Sequence, residues 1–201
     1  MTHTPPQPDV LQQALAAHAQ GKFDEAAGLC RAMLAQHPDR FDLWHFLAIV
    51  EAGRGQHLEA VDAYDHSISL QRCDPTAHYN RANSLQALQR WSEAVAGYDV
   101  ALSIQPAFAQ ALNNRGNALQ QLNRFDEAVA SFDAALAINP NDLEAWTNRG
   151  NALQRLHRIN EALASYDAAL SVRPEYAEAQ FSKAHCKLLT GDFASGWDAY
   201  E

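Results

Sequence analysis

Nine histidines and three cysteines are the side chains of this 201-residue sequence best suited to bind a metal or attack a substrate. The histidines are scattered singly, without the His-Glu-x-x-His spacing or a comparable ligand spacing. Cys30, Cys73 and Cys186 are odd in number and far apart, which fits neither a disulfide framework nor a paired-thiolate zinc site. We therefore expect no catalytic residue, metal site or cofactor, and we expect a reducing compartment.

Asparagine and glutamine side chains suggest a different chemistry, because they recur at helical spacing. Residues three and four apart share one face of a helix. A primary amide offers both a hydrogen-bond donor and an acceptor. A row of amides could therefore hold the main chain of an extended peptide, and the alternative interpretation is a solvated surface without a ligand. The predicted rows are Tyr79, Asn83 and Gln86; Asn113, Asn117 and Gln120; Thr147, Asn151 and Gln154; with Asn80, Asn114 and Asn148 bordering them.

The charge of the chain argues against two classes of partner. Acidic residues outnumber Lys and Arg by 24 to 15, and the formal net charge is -9. Nucleic acids and anionic membranes both need clustered positive charge.

Residues 1–6 form a polar tail without the apolar region of a signal peptide, and no stretch approaches the length of a membrane helix. We expect a cytoplasmic protein whose partner is a protein or an extended peptide.

The elements that would carry the amides recur at a constant interval along the chain. Pro106, Pro140 and Pro174 mark this interval, which we call the repeat period. Each period holds two amphipathic stretches separated by a short break, which predicts a helix-turn-helix unit. A single helix pair cannot bury both of its faces, so neighbouring units are expected to stack. Further columns keep the period, namely Ala26, Ala60, Ala94, Ala128 and Ala162, and Tyr64, Tyr98, Phe132, Tyr166 and Tyr200.

These columns resemble the tetratricopeptide repeat family, and residues 146–174 match it best. Trp146, Gly150, Ala162, Tyr166, Ala169 and Pro174 stand where the family signature places its Trp, Gly, Ala, aromatic, Ala and Pro. The resemblance implies an all-α fold, a right-handed α-solenoid of tandem helix-turn-helix repeats that serves as a protein-binding scaffold and not as an enzyme. The predicted array covers residues 7–201, with repeats at 7–40, 41–74, 75–108, 109–142, 143–176 and a partial repeat at 177–201.

The resemblance also bears on the ligand. In this family the first helix of each repeat lines a concave groove, so the amide rows are expected to face it. A clamp for acidic C-termini needs basic side chains, but Glu144, Thr147, Asn148 and Glu178 occupy the candidate positions. The asparagine rows are instead similar to the tetratricopeptide arm of O-linked N-acetylglucosamine transferase.

The end of the sequence leaves two alternatives to a stand-alone scaffold. Two short motifs near the end resemble the last repeat of bacterial proteins in which such an array precedes a glycosyltransferase-like domain. They are Gly191-Asp192-Phe193 and Gly196-Trp197. The first alternative is therefore the substrate-recognition arm of a larger glycosyltransferase. The second is self-association through the incomplete last repeat, where Phe181, Phe193 and Trp197 would expose apolar surface.

Four structural details are also predicted. Ser92, Asp126 and Asn160 are expected to be the N-caps of the second helices. Because Arg72 replaces the usual proline and Pro75 follows it, we expect the chain to turn differently at that junction. Cys30 and Cys186 are expected in the core, and Cys73 at the surface. A constant offset between acid and base predicts an ion-pair seam, namely Asp65 with Arg81, Asp99 with Arg115, Asp133 with Arg149 and Asp167 with Lys183.

Overall fold

The computed structural model describes residues 10–189 and residue 191. Over these residues the chain forms eleven α-helices and no β-strand, which confirms the all-α prediction. The helices are α1 (Val10–Ala19), α2 (Phe23–Leu34), α3 (Phe41–Gly53), α4 (His57–Leu70), α5 (Pro75–Ala87), α6 (Trp91–Ile104), α7 (Ala109–Gln121), α8 (Phe125–Ile138), α9 (Leu143–Arg155), α10 (Ile159–Val172) and α11 (Ala177–Leu189).

The chain divides into two compact units, residues 1–104 and residues 105–201. In the first unit, each helix from α1 to α5 packs against the next helix along the chain. In the second unit, α7 to α11 pack in the same sequential way, and α9 also touches α7 and α11 across the intervening helices. Each unit is therefore a stack of helical hairpins, in which the first helices meet along one side.

Each of the five hairpins that the structure describes turns through one residue in the left-handed region of backbone space, and Gly191 after α11 has the same backbone conformation. In each hairpin the next residue returns its N–H to the helix, as Arg124 does to the carbonyl of Leu119 at 2.9 Å. This is a Schellman turn, which favours glycine because a Cβ is strained at positive φ. The left-handed residues are Gly21, Gly55 and Gly191, with φ of 73°, 75° and 86°, and Gln89, Asn123 and His157, with φ of 58°.

The turn also fixes where each second helix begins, and the N-cap prediction is wrong. The helices start at Trp91, Phe125 and Ile159, so Ser92, Asp126 and Asn160 lie inside the first turn. Arginine occupies the N-cap position of α8 and of α10, without a side-chain cap. Each of these arginines pairs instead with the glutamate three residues later, as in the 2.6 Å contact between Arg124 and Glu127 and the 2.7 Å contact between Arg158 and Glu161.

The junction after α4 turns like the junction after α10, contrary to the prediction. Gln71 ends α4 with φ −136° and ψ 96°, nearly the values of −140° and 101° that Arg173 has after α10. Pro75 fits because it is the first residue of α5, where its missing N–H has no partner to lose. The carbonyl of Arg72 lies 3.0 Å from Nε2 of His78, so a side chain of the next helix still holds this turn.

Aromatic side chains of the second helices pack directly over small residues of the first helices. Phe132 and Tyr166 are fully buried. A Cβ added at Gly116 would lie 2.6 Å from the Phe132 ring, and one at Gly150 would lie 2.4 Å from the Tyr166 ring. These distances are far below van der Waals contact, so glycine is required for the two helices to approach this closely.

The ion-pair seam is confirmed within each unit. Three of the four predicted couples are in contact, and Arg149 in addition donates to the hydroxyl of Ser165 at 2.7 Å. The fourth couple, Asp99 with Arg115, has one member in each unit and stays a prediction. The observed distances are 2.7 Å for Arg81 to Asp65, 2.6 Å for Arg149 to Asp133 and 2.5 Å for Lys183 to Asp167.

Arg31 has a partner that the sequence did not reveal. Its guanidinium contacts Oε1 of Glu51 at 2.6 Å, and Arg54 contacts Oε2 of the same carboxylate at 2.6 Å. Glu51 is 1% exposed and stands in a column that carries leucine at Leu85, Leu119 and Leu153. A buried carboxylate needs such partners, because an unpaired charge in the core is strongly destabilising.

Candidate functional site

In the second unit, amide side chains of two first helices meet. Nδ2 of Asn148 on α9 donates to Oδ1 of Asn117 on α7 at 2.9 Å. Nδ2 of Asn117 in turn approaches Oε1 of Glu144 at 3.5 Å. Both asparagines are half-buried, so their outer atoms remain open to a ligand. Asn148 of the bordering row thus contacts Asn117 of the neighbouring predicted row within this unit.

A second pair of amides on α9 rests on the aromatic core. The hydroxyl of Tyr166 donates to Oδ1 of Asn151 at 2.9 Å and approaches Oε1 of Gln154 at 3.3 Å. Both oxygens face this inward contact, which leaves the NH₂ groups as the donors of the two amides. This face of α9 therefore presents donors, which can bind the carbonyl oxygens of another chain.

The first unit repeats this arrangement on α5. The hydroxyl of Tyr98 donates to Oδ1 of Asn83 at 2.7 Å and approaches Oε1 of Gln86 at 3.0 Å. The ring of Tyr79 lies beside that of Tyr98, with 6.0 Å between the centroids. Tyr79, Asn83 and Gln86 thus share one face of α5, as their spacing predicts.

Two of the predicted site residues, Thr147 and Asn113, are buried. Thr147 is fully buried, and its hydroxyl donates to the carbonyl of Leu143 at 2.8 Å within α9. Asn113 is 6% exposed. Neither side chain can meet a ligand without rearrangement, whereas Asn114 and Gln120 on the same helix as Asn113 are half-buried. Thr147 and Asn113 are therefore not part of the contact surface. We call the remaining amides of α7 and α9 the amide surface. It comprises Asn114, Asn117, Gln120, Asn148, Asn151 and Gln154.

The tyrosine support was missed at the sequence level, although a signal for it exists. The tyrosines at 98 and 166 each follow an asparagine and a glutamine at the same two offsets, as Tyr166 follows Asn151 and Gln154. In the hairpin between these two, Phe132 replaces the tyrosine and has no hydroxyl to donate. Asn117 is accordingly oriented by its neighbours Asn148 and Glu144 and not by the core.

Acidic side chains border the amide surface. The hydroxyl of Tyr176 donates to Oε2 of Glu178 at 2.8 Å. Burial, the bond to Glu178 and the charge of Glu144 together raise the pKa of Tyr176 to about 12. Tyr176 therefore keeps its proton at neutral pH and can donate it to Glu178.

The other chemically reactive residues form no further centre. Cys30 and Cys186 are buried and Cys73 is exposed, as predicted. Burial and the charge of Glu51 raise the pKa of the Cys30 thiol to about 11, which keeps it protonated.

Among residues 10–189, no group of three metal-binding side chains comes together. No helix in that range has the length and apolarity needed to cross a bilayer.

Solved structures with the same fold are numerous, and three illustrate the similarity. A tetratricopeptide repeat protein from Parabacteroides merdae superposes with a TM-score of 0.83 and 20% identity, covering 94% of this chain and 75% of that one. YrrB, described as having an unusual peptide-binding site, gives 0.78 and 18%, covering 87% and 90%. MamA from Desulfovibrio magneticus gives 0.76 and 19%, covering 80% and 90%. These identities establish the shared fold alone.

Sequence comparison assigns the family. No curated protein sequence matches this chain. Two family models described as tetratricopeptide repeat do match, one over residues 11–78 and the other over residues 109–142 and 143–176. The matched segments together span about two thirds of the sequence and lie in both units. With its paired helices, its constant repeat period and its aromatic-over-glycine packing, the chain belongs to the tetratricopeptide repeat family.

Proposed function

We propose that this chain is a non-catalytic scaffold that binds a protein or an extended peptide through the amide surface of its second unit. The observation that carries the proposal is the 2.9 Å hydrogen bond from Asn148 to Asn117, which aligns amides of two neighbouring first helices. Side-chain amides carry both donors and acceptors, so they can bind the peptide groups of an extended chain. The corresponding face of α5 offers similar chemistry in the first unit.

The tyrosine contact favours recognition of main-chain carbonyls. Because Tyr166 occupies the oxygens of Asn151 and Gln154, their NH₂ groups are the atoms left to face a ligand. Backbone carbonyls are acceptors that every peptide carries, so affinity arises without demands on most ligand side chains. A preformed orientation also lowers the entropy that binding must overcome. The description of YrrB as a peptide-binding member of the same fold supports this class of ligand.

Selection from a random-peptide display library on the immobilised chain tests the proposal. Peptides selected on the unaltered chain should bind the double variant Asn117→Ala, Asn148→Ala at least about tenfold more weakly, because two hydrogen-bonding side chains are lost. Neither asparagine supports a buried tyrosine, so the fold is expected to remain intact, which circular dichroism checks.

A matched control removes two exposed amides of the same unit outside the amide surface, Asn141 and Asn160. The variant Asn141→Ala, Asn160→Ala should bind like the unaltered chain. Equal affinities of both double variants would place the binding site elsewhere, and failure to select any peptide would contradict the proposed function.

Self-association is a second candidate, favoured by exposed apolar side chains on α11. Phe181 is 55% exposed and Leu189 is 64% exposed. The predicted partners Phe193 and Trp197 lie outside the described residues. Light scattering across a dilution series should show a concentration-dependent mass if α11 mediates assembly, and a monomer at all concentrations would eliminate this candidate.

The resemblance to a glycosyltransferase arm stays a proposal about a longer protein. Its motif falls on residues 191–201, of which the structure describes Gly191. A catalytic domain encoded in frame after Glu201 would support it, and a stop codon would exclude it. A cytoplasmic location is likewise proposed, and cell fractionation would test it.

A further inference from the structure

A cavity of about 310 Å³ opens in the first unit, between α3, α4 and α5. We call it the Tyr64 pocket. Asn80 and Asn83 of the predicted amide rows form one wall. A peptide bound along α5 would therefore cross its mouth, and this inference rests on the proposed function. The other lining residues used below are Ile49, Ala52, His57 and Tyr64.

The pocket occurs where a pattern shared by two other hairpins, α5–α6 and α9–α10, is broken. Tyr98 and Tyr166 each donate to an asparagine and approach a glutamine of the preceding helix. Tyr64 occupies the same column, but Ile49 and Ala52 stand at the two amide positions. The side chains that would accept from the hydroxyl are absent from this hairpin. The space next to Tyr64 is left as the cavity.

The Tyr64 hydroxyl retains an unused proton. The side chain is 1% exposed, and burial raises its pKa, so it is protonated at neutral pH. Asn80 lines the same cavity, and its hydrogen bonding acts against this rise in pKa. Among the described residues no acceptor takes the phenol proton. Nδ1 of His57, on the same cavity wall, is also buried without a hydrogen-bond partner within the described part of the chain.

We propose that the Tyr64 pocket binds a primary carboxamide side chain, glutamine or asparagine, of the bound peptide. The ligand carbonyl accepts the proton of the Tyr64 hydroxyl, as the Asn151 oxygen accepts that of Tyr166. The ligand NH₂ donates to the side-chain oxygen of Asn80. Ile49 and Ala52 contact the methylene groups of the ligand. The ligand thus supplies the amide that this hairpin lacks.

Two features give the pocket its selectivity. An apolar side chain of similar size would bury the Tyr64 hydroxyl without an acceptor, and unpaired buried donors are disfavoured. A carboxylate would lack the NH₂ donor, and the charge of Asp74, which also raises the pKa of Tyr64, opposes a second negative charge. We therefore expect carboxamides to be preferred over both classes.

The test uses N-acetyl-glutamine methylamide as a probe, with the norleucine and glutamate analogues for comparison. The probe is titrated into isotope-labelled chain, and the backbone amide shifts of His57 and Ser84, which line the pocket and are unchanged in every variant, are followed by NMR. The glutamine probe should give saturable shifts at about tenfold lower concentration than either analogue.

Two variants separate the hydroxyl from the cavity. Tyr64→Phe removes the hydroxyl alone, and Phe132 shows that the fold accepts phenylalanine in this column. Ile49→Asn with Ala52→Gln restores the amide pair of the other hairpins and should fill the pocket. Both variants should fold and lose the preference for the glutamine probe. Equal response to the norleucine probe, an absence of saturable shifts, or a preference unchanged by Tyr64→Phe would overturn the inference.

The probe experiment is independent of the peptide selection. If peptides are selected but the probe shows no carboxamide preference, the inference fails and the proposed function stands. If the probe binds as expected but no peptide is selected, the proposed function fails and the pocket remains as a carboxamide site.

Discussion

The hydroxyl of Tyr166 donates to Oδ1 of Asn151 across 2.9 Å, which joins the fully buried core of a hairpin to its partly exposed face. Tyr98 holds Asn83 in the same way at 2.7 Å. These asparagines are therefore both candidate ligand contacts and partners of buried hydroxyls. A change at either position alters stability as well as binding, which makes Asn117 and Asn148 the cleaner probes of binding.

A double-mutant cycle tests this dual role. Asn151→Ala should lower the free energy of unfolding by about 1 kcal/mol, because the Tyr166 hydroxyl loses its nearer acceptor. In a Tyr166→Phe background the same change should cost clearly less, since no hydroxyl remains to be satisfied. Urea denaturation of the four proteins gives the coupling energy. Equal costs in both backgrounds would show that the contact contributes nothing.

Replacing glycine by alanine should have opposite effects on stability at Gly55, in a left-handed turn, and at Gly28, inside a helix. Gly55→Ala should lower the free energy of unfolding by about 1 kcal/mol, because an L-residue is strained at positive φ. Gly28→Ala, inside α2, should raise it by about 0.5–1 kcal/mol, because alanine is the better helix former. An added Cβ would have no neighbour within 4 Å at either site, so backbone conformation alone separates the two. Thermal and urea denaturation measure both changes, and effects of the same sign would refute this explanation.

The close approach of α9 and α10 makes Gly150 intolerant of a side chain. An added Cβ would lie 2.4 Å from the Tyr166 ring. Gly150→Ala should therefore lower the free energy of unfolding by about 1–3 kcal/mol, the usual cost of overpacking a core. Urea denaturation measures the change. If this variant were as stable as the unaltered chain, α9 and α10 would move apart without a loss of free energy of unfolding.

Arg124, at the start of α8, lowers the pKa of Glu127. Its hydrogen bond lowers the pKa of that carboxyl below the ordinary value of 4.5. A lowered pKa in the folded state means that the contact stabilises the fold above pH 4.5 and is lost as the pH falls through the folded pKa. Arg124→Gln should return the pKa of Glu127 towards 4.5, as followed by NMR titration of its side-chain carbon. An unchanged pKa would assign the shift to another cause.

Features that recur with the repeat period were predictable from the sequence, whereas features that depend on exact geometry were not. The constant offset between acid and base identified contacts such as Arg149 with Asp133, because a regular stack keeps equivalent residues at equivalent distances. The N-caps were misplaced because the preceding Schellman turn, and not the presence of Asp126, sets the start of the helix. Thr147 shares a helix face with Asn151 but is buried, since the edge of a face follows from packing and not from spacing.

The central claim is that the amide surface holds the main chain of a peptide, and amide-to-ester replacement in a selected peptide tests it most directly. An ester removes the N–H donor and weakens the carbonyl acceptor of one peptide unit, and it leaves the side chains unchanged. Isothermal titration calorimetry should show affinity falling about five- to tenfold for esters facing the amide surface, an effect absent in the Asn117→Ala, Asn148→Ala variant. Esters that bind as tightly as the parent peptide at every position would contradict main-chain recognition.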